Sequence, residues 1–158
     1  MYKRALVTLD GSPLAEAILP FITEIAGPLD MEVVLLRVVV PVRPQIVEGT
    51  RHAVFEDVEG RLAEARDYLT PLAAELAGRG VRVRAEVRRG DPVLEIAAAA
   101  TEVDADLIAM TTHGRSGLGR LLFGSVAEAV LRQTAIPVFL MRLTKSSVRP
   151  LGTREVVR

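Results

Sequence analysis

The chain of 158 residues is long enough for one domain with its own core, and its 49% hydrophobic content argues against a mostly disordered chain. Twenty basic residues balance twenty acidic ones, which argues against a dedicated nucleic-acid binder. The absence of cysteine excludes disulfides, thiol catalysis and zinc–thiolate sites. The start lacks a long apolar signal region, and the longest apolar run, 33–42, is interrupted by Arg37 and too short to cross a bilayer. We therefore expect a cytoplasmic protein without membrane or nucleic-acid partners.

The first predicted elements are a strand and a helix. Ala5–Leu9 is a short apolar run typical of a strand, and Ser12 followed by Pro13 is typical of the N-cap and first position of a helix that ends at Gly27. Pro20 should kink that helix or loosen its first turns. Apolar residues recur in it at spacings of four, three and four and predict a single buried face: Leu14, Ile18, Phe21 and Ile25.

The middle of the chain predicts a buried strand, a long loop and a long helix. Glu32–Val40 is nearly all apolar, as expected for a strand covered on both faces. Pro41–Glu56 shows no period and is long for a small domain, so we expect it to be functional or mobile. A helix between Val58 and Gly78 follows, and its place between strands favours packing on a sheet over a coiled coil. Its predicted inward residues are Val58, Leu62, Ala65, Leu69, Leu72 and Leu76.

The second half of the chain predicts further strands and helices. Val81–Val87 alternates apolar with charged residues, which is typical of a strand with one solvated face at or near a sheet edge. Asp91 with Pro92 predicts a helix start. The inward residues of that helix follow at helical spacing: Val93, Ile96, Ala97 and Ala100. The chain finishes with a strand over Ile136–Leu143 and a polar tail over residues 144–158.

A glycine-rich stretch between a strand and a helix is the strongest functional signal. Leu107–Met110 predicts a buried strand, several glycines follow it, and Ser125 marks the start of a helix. Such an arrangement binds phosphate through free backbone N–H groups and the positive helix end, and Arg115 could add a charge-assisted contact. The same residues also fit a plain connection, because Ser125 and Glu128 form a capping-box pattern that needs no ligand. The residues alone leave both interpretations open.

The alternation of strands and helices predicts an α/β protein with a parallel sheet covered by helices on both faces. Ligands in such sheets bind beyond the carboxyl ends of the strands, where the strand order reverses. If the first and fourth strands are neighbours, Asp10 at the end of the first strand faces the glycine loop. Asp10 therefore either caps the turn at Gly11–Ser12 or belongs to a ligand site.

Several motifs together resemble the universal stress protein family over residues 2–143. The motifs are Val7–Ser12, Leu35–Val38, Thr112–Gly117, Gly124–Glu128 and Ile136–Val138. The resemblance implies a Rossmann-like three-layer αβα sandwich over residues 1–143, with a five-stranded parallel sheet in the order 3-2-1-4-5. It also implies a homodimer through the last strand, Ile136–Leu143.

The resemblance further implies the ATP-binding type of the family. Binders carry Gly-x2-Gly-x9-Gly-Ser/Thr; Gly114 and Gly124–Ser125 match, whereas Thr111 stands at the first glycine. Because the rest of the phosphate loop is intact, we expect ATP binding to be retained, with Mg²⁺ or Mn²⁺ entering only through the phosphates. By resemblance Asp10 contacts the ribose and the backbone of Val38 the adenine edge. The implied site residues are Leu9, Asp10, Val38, Met110, Thr111, Gly114, Arg115, Gly124, Ser125 and Val126.

The expected function is that of a dimeric stress-response module that holds ATP and acts through its conformation or a partner. We expect no enzyme, because the loop has no lysine and His113 lacks an evident orienting partner. His113 and His52 lack metal-site spacing. Two alternatives remain: a non-nucleotide dimeric scaffold in which Thr111 closes the site, and a slow ATPase. The Pro41–Glu56 loop is expected to fold over the base and to become less mobile when the ligand is bound.

Overall fold

Strands and helices alternate through the described part of the chain, residues 2–42, 57–112 and 124–142 of a computed structural model. The glycine loop at 113–123, most of the predicted 41–56 loop and the predicted tail lie outside the described residues. The elements in chain order are β1 Arg4–Leu9, α1 Pro13–Glu16, α2 Leu19–Ala26, β2 Glu32–Val39, α3 Val58–Gly78, β3 Arg82–Arg89, α4 Pro92–Glu102, β4 Leu107–Thr112, α5 Ser125–Gln133 and β5 Val138–Arg142.

The described strands form one parallel sheet in the order β3-β2-β1-β4-β5, which confirms the predicted α/β class and strand order. β1 is central: it pairs with β2 through Leu9 opposite Arg37, and with β4 through Ala5 opposite Leu107. The chain proceeds from β1 toward one edge and from β4 toward the other, so the strand order reverses between these two strands. The end of β1, where Asp10 follows, is therefore next to the end of β4, as predicted.

Helices cover both faces of the sheet, and each face has its own core. On one face α1, α2 and α3 pack on the strands, and Leu69 and Leu76 of α3 are fully buried. On the other face α4 and α5 contribute Ile96 and Val130. β2 is covered on both of its faces, since Val33–Leu36 are at most 1% exposed. In the described ranges, no helix combines the length and the apolar character needed to cross a membrane.

β3 lies at one edge of the sheet, and its first half has the solvated face that the alternation predicts. Val83 packs against the core, whereas Arg82 and Arg84 are exposed. Arg82 Nε lies 3.1 Å from Asp30 Oδ1, and Arg84 Nε lies 3.4 Å from Glu32 Oε1. Exposed ion pairs of this kind contribute little to stability, but charges along an edge strand discourage pairing with another chain.

The second half of β3 departs from the predicted alternation. There Ala85 is exposed, and Arg88 and Glu86 of the predicted solvated face are only 15% and 24% exposed.

The segment predicted as the first helix forms two helices, and the prediction of its buried residues is mostly wrong. Pro20 lies in the first turn of α2 and has no N–H with which to continue a helix from α1, so the chain breaks and restarts. The break changes the helical phase. Of the predicted inward residues only Ile18 is buried, whereas Leu14, Phe21 and Ile25 are 39%, 46% and 36% exposed. The other buried side chains of the segment are Ala15, Ala17, Leu19, Ile22 and Ala26.

Asp106 ties the beginnings of β1 and β4 together. Its Oδ2 accepts hydrogen bonds from the backbone N–H groups of Lys3 and Arg4, at 2.6 and 2.9 Å, and these bonds hold the pKa of the carboxyl below its usual value of 3.8. Since the folded pKa is depressed, the stabilising contribution is present above the ordinary pKa and is lost as the pH falls through the folded value.

We therefore expect Asp106→Ala to lower the Tm relative to wild type at pH 7, and the difference to shrink as the pH falls below 3.8. Thermal unfolding followed by circular dichroism across this range is the measurement. Asp67→Ala, which removes one carboxylate from an exposed position of α3, is the matched control. A Tm difference for Asp106→Ala that stays constant from neutral to acid pH would contradict the assignment.

Candidate functional site

A cavity of about 610 Å³ lies at the carboxyl ends of β1, β2 and β4, where the strand order reverses. Residues of α1 and α3 form one wall, and residues of α4 and α5 form the other. Parallel α/β sheets bind ligands at this position, and the volume suits a small molecule. The predicted site residues that line it are Leu9, Asp10, Val38, Met110, Thr111, Gly124, Ser125 and Val126. The other two, Gly114 and Arg115, lie outside the described residues.

Asp10 is held in place by the turn that follows β1. Its Oδ1 accepts hydrogen bonds from the backbone N–H of Ser12 at 2.8 Å and from the Ser12 hydroxyl at 2.6 Å. The same hydroxyl accepts from the N–H of Ala15 and so caps α1. Asp10 therefore stabilises the turn, and it also lines the cavity. The two predicted roles are compatible, because the turn fixes the carboxylate at the cavity rather than away from it.

No side chain of the described residues caps the N-terminus of α5. Gly124 is the N-cap and Ser125 the first helical residue, so the predicted capping box is wrong. Ser125 lies one position beyond the N-cap, so its hydroxyl is not placed to accept from the first-turn N–H groups. The Glu128 carboxylate instead pairs with Arg132 at 2.6 Å, one turn further along the helix. The residues Gly124–Ala127 line the cavity, so the open positive end of α5 faces it.

The end of β4 supplies the wall between Asp10 and α5. Met110 is 4% exposed and Thr111 is partly buried, and both line the cavity. In the sheet these two residues stand opposite Leu140 and Met141 of β5. Among the described residues the cavity remains open beside Thr111, at the position where a glycine was expected for a nucleotide binder.

The structure adds a wall that sequence reasoning missed. Four side chains of β2 and α3 line the cavity: Arg37, Arg61, Glu64 and Tyr68. Arg37 packs so closely on Gly11 that a Cβ built there would lie 2.6, 2.8 and 2.9 Å from three guanidinium atoms. Gly11 also has a φ of +87°, so its backbone conformation favours glycine, whereas the guanidinium is the end of a flexible side chain that could shift to admit a Cβ. The charge of Arg37 in an otherwise apolar strand was the one available signal; the α3 residues carry no comparable pattern.

Arg37 and Tyr68 form the part of this wall nearest the turn of β1. The guanidinium Cζ lies over the ring of Tyr68, 5.7 Å from its centroid. Burial, and then the nearby Glu16 carboxylate, raise the pKa of Tyr68 well above its ordinary value, so the phenol keeps its proton at neutral pH. Within the described residues, Arg37 Nε is buried and has no hydrogen-bond partner, whereas the Tyr68 hydroxyl lies beside the Glu16 carboxylate.

Metal-ligating groups do not converge in the described residues. Across residues 2–42, 57–112 and 124–142, no group of three histidine or carboxylate side chains is arranged to hold a metal ion. His52 and His113 lie outside these ranges, as does the predicted loop 43–56. The described cavity offers an open helix end, a fixed carboxylate and a wall that carries arginine and tyrosine donors together with the Glu64 carboxylate.

An open helix N-terminus beside a carboxylate at the reversal point of a parallel sheet is the arrangement at which α/β proteins commonly bind small ligands. Residues 1–142 match the universal stress protein family, and the chain belongs to that family. The family expected from the sequence motifs is thereby confirmed.

Relatives span most of the chain. Universal stress protein MJ0531 of Methanocaldococcus jannaschii is 33% identical over 148 residues, which cover 92% of this chain and 85% of that protein. The solved structure of MJ0577 from the same organism has a TM-score of 0.73 at 27% identity and covers 92% of this chain and 99% of that one. A universal stress protein family protein of Arabidopsis thaliana, solved with AMP bound, has the same fold, with a TM-score of 0.63 at 19% identity over 90% and 93% of the two chains.

Proposed function

We propose that the chain is an adenine-nucleotide-binding universal stress protein, with ATP as its first candidate ligand. The observation that carries the proposal is the uncapped N-terminus of α5 at the cavity, Gly124–Val126. Free first-turn N–H groups and the positive end of the helix attract an anion. A phosphate suits this anion site, because no atom of the described residues lies within 4 Å of the place where a Gly124 Cβ would stand, so these residues leave room for phosphate oxygens at the backbone.

The rest of the cavity suits the rest of a nucleotide. The Asp10 carboxylate, oriented by Ser12, has the acceptor chemistry for ribose hydroxyls. The apolar end of β2, Val38–Val40, offers a surface for a base. The AMP-bound Arabidopsis protein shares this fold, which supports a nucleotide as the ligand class. A divalent ion such as Mg²⁺ or Mn²⁺ would be held through the phosphates.

The proposed role is a dimeric regulatory module that holds the nucleotide without turning it over. Phosphoryl transfer needs positive charge on the transferring group and a positioned nucleophile. No lysine lines the cavity among the described residues, and the carboxylate of Asp10 is engaged by Ser12. Release of inorganic phosphate from ATP by purified protein, lost in Asp10→Ala and kept in Asp67→Ala, would overturn this part of the proposal.

Isothermal titration calorimetry with ATP and with AMP tests the binding itself. We expect measurable heat from both and a rise in Tm with added nucleotide. Nucleotide released from the purified protein on denaturation, identified by mass spectrometry, would support the proposal independently. No heat and no thermal shift at millimolar nucleotide would reject it.

Thr111 is the observation that favours the alternative, a non-nucleotide dimeric scaffold. Its Cβ and hydroxyl stand where nucleotide binders of the family are expected to have glycine. The variant Thr111→Gly separates the two functions. If the wild-type protein binds no nucleotide and Thr111→Gly does, the threonine has closed the site; if both bind with similar affinity, the threonine is accommodated.

Asp10→Ala should weaken ATP binding by about tenfold or more, because a hydrogen bond to a charged group contributes roughly 1.5–3 kcal/mol. Ser12→Ala should weaken it less, since it removes the hydroxyl that orients Asp10 but keeps the backbone N–H bond. Calorimetric titration of both variants with ATP is the measurement, with Asp67→Ala as the control. Equal affinities for wild type and Asp10→Ala would leave the carboxylate as a turn cap alone.

A further inference from the structure

Arg88 of β3 joins the edge strand to α4, and the beginning of α4 forms part of the cavity wall. We infer that Arg88 is a positioning residue, which holds α4 against the sheet and so fixes the shape of the cavity where the base of a nucleotide would bind. The inference rests on the proposed nucleotide site. It adds to that site a residue that acts on the base without lining the cavity.

The register of the sheet places Arg88 next to the cavity. Arg88 stands opposite Val38 of β2, and paired residues of neighbouring strands project on the same face of a sheet. Val38 lines the cavity and packs against the core on the α4–α5 face. Arg88 is therefore on that face too, on the edge side of Val38, although it is not among the described residues that line the cavity.

The guanidinium of Arg88 bridges the two ends of α4. Its Nη1 lies 3.8 Å from Oε2 of Glu95 in the first turn, and its Nη2 lies 2.5 Å from Oε2 of Glu102, the last residue of the helix. On the strand side its Nε donates to Oε1 of Glu86 at 2.5 Å. Since the arginine side chain is only 15% exposed, solvent screens these pairs less than it screens pairs at an open surface.

The beginning of α4 and the end of β2 share the base end of the cavity. Pro92 and Ile96 of α4 line the cavity together with Val38. Glu95, the first-turn partner of Arg88, also lies against the turn that leads into the helix, because a Cβ built on Gly90 would be 2.6 Å from its Oε1. A shift of this carboxylate therefore moves the first turn of α4 relative to the end of β2.

Loss of Arg88 should displace α4 rather than unfold it. The three carboxylates that the guanidinium joins would remain close together without a cation between them, and like charges repel. The apolar side chains of Ile96, Ala99 and Ala100 would still bury the helix on the sheet. The proposed phosphate position at α5 is remote from this change, since β2 and β1 lie between β3 and β4. The displacement should therefore act on the base end of the site.

Calorimetric titration of the full chain with ATP measures the effect on binding. Arg88→Met keeps the aliphatic stem and removes the charge, and we expect it to weaken ATP about tenfold or more. Arg84→Met is the matched control, because Arg84 is on the same strand and face but pairs with Glu32 instead of α4. The control should change ATP affinity by less than about twofold.

Glu102→Gln tests whether Arg88 acts through the helix. Glu102 is at the far end of α4, about 15 Å along the helix axis from Pro92, so it cannot touch a ligand in the cavity. We expect this variant to weaken ATP by a smaller factor than Arg88→Met. The double variant should bind ATP no more weakly than Arg88→Met alone, since both changes break the same pair. Independent, additive losses would contradict action through this pair.

Hydrogen exchange of the full chain without nucleotide tests the positioning itself. In Arg88→Met we expect the amides of residues 95–97, at the start of α4, to exchange about threefold or more faster than in wild type. The amides of residues 128–130, at the start of α5, should exchange at the wild-type rate. A general loss of stability would instead accelerate exchange in both helices alike.

The outcomes separate this inference from the proposed function. Equal ATP affinity in wild type and Arg88→Met overturns the inference and leaves the proposed function standing, as does equal acceleration of exchange in α4 and α5. If the wild type binds no ATP, the proposed function is rejected, and the exchange pattern alone decides whether Arg88 positions α4. If Arg88→Met does not fold, Glu102→Gln decides in the same two measurements, and wild-type behaviour of that variant overturns the inference.

Discussion

Gly124→Val should abolish nucleotide binding while the protein stays folded. The added side chain occupies the space at the helix end that a phosphate would use, so we expect ATP affinity to fall by about a hundredfold or more. The fold should tolerate the change, because no atom of residues 2–42, 57–112 or 124–142 lies within 4 Å of the new Cβ, and the φ of −60° and ψ of 149° suit a β-branched residue. A poorer N-cap costs about 1 kcal/mol, or roughly 2–4 °C in Tm.

Gly78→Val is the matched control for that variant. Gly78 is the last residue of α3, has equally open space around its Cβ position and does not line the cavity. We expect the control to bind ATP like wild type, with a similar small loss of Tm. Calorimetric titration with ATP and thermal unfolding of the wild type, Gly124→Val and Gly78→Val measure the two effects. If Gly124→Val binds ATP as tightly as wild type, the phosphates do not sit at α5.

Val138→Pro should dissociate the proposed homodimer without unfolding the monomer. β5 is an edge strand, so the backbone N–H and C=O groups on its outer side have no neighbouring strand in the described sheet. Its residues Val138–Met141 are only partly buried, and pairing with a second copy of the chain would cover them. The N–H of Ile108 donates to the carbonyl of Pro137, so the alternation of a parallel ladder turns the N–H of Phe139 toward β4 and that of Val138 outward. A proline at 138 therefore removes an outward donor only. We expect a shift from dimer to monomer at micromolar concentration.

Phe139→Pro is the contrasting variant, because it removes a donor that points into the sheet. It should lower the Tm strongly, by the roughly 3 kcal/mol or more that a misplaced proline costs, whatever the oligomeric state. Size-exclusion chromatography with light scattering, together with thermal unfolding, distinguishes the two variants. A wild-type protein that runs as a monomer at every concentration tried rejects the dimer through β5 without any variant.

The strand pattern of this chain could be predicted from sequence because its signals are local. Buried strands such as Glu32–Val39 are short apolar runs, and the edge strand Arg82–Arg89 alternates. The position of Asp10 beside the end of β4 then followed from the resemblance to a known fold, since the pairing of β1 with β4 is not encoded in any local pattern. The predicted site residues in the described chain consequently fell around one cavity.

The missed features depend on single-residue shifts or on tertiary contacts. The break at Pro20 changes the phase of α2, so spacing counted through it gave the wrong face. The start of α5 differs from the prediction by one residue, which is within the ordinary uncertainty of helix ends, yet it decides whether Ser125 can cap. The contact of Arg37 with Tyr68 joins residues on two separate elements, and no spacing rule brings those together.

The central place of β1 has a consequence for how the chain acquires its structure. Arg4 bonds both to Glu32, 28 residues away, and to Asp106, 102 residues away. Closing the longer loop costs only about 1 kcal/mol more, because closure entropy rises with the logarithm of length, but contacts so distant in sequence slow folding. During synthesis the strands β1 to β3 emerge first, and the second edge of β1 stays unpaired until residues near 107 have left the ribosome. The half of the sheet that carries the open helix end is therefore the last to form.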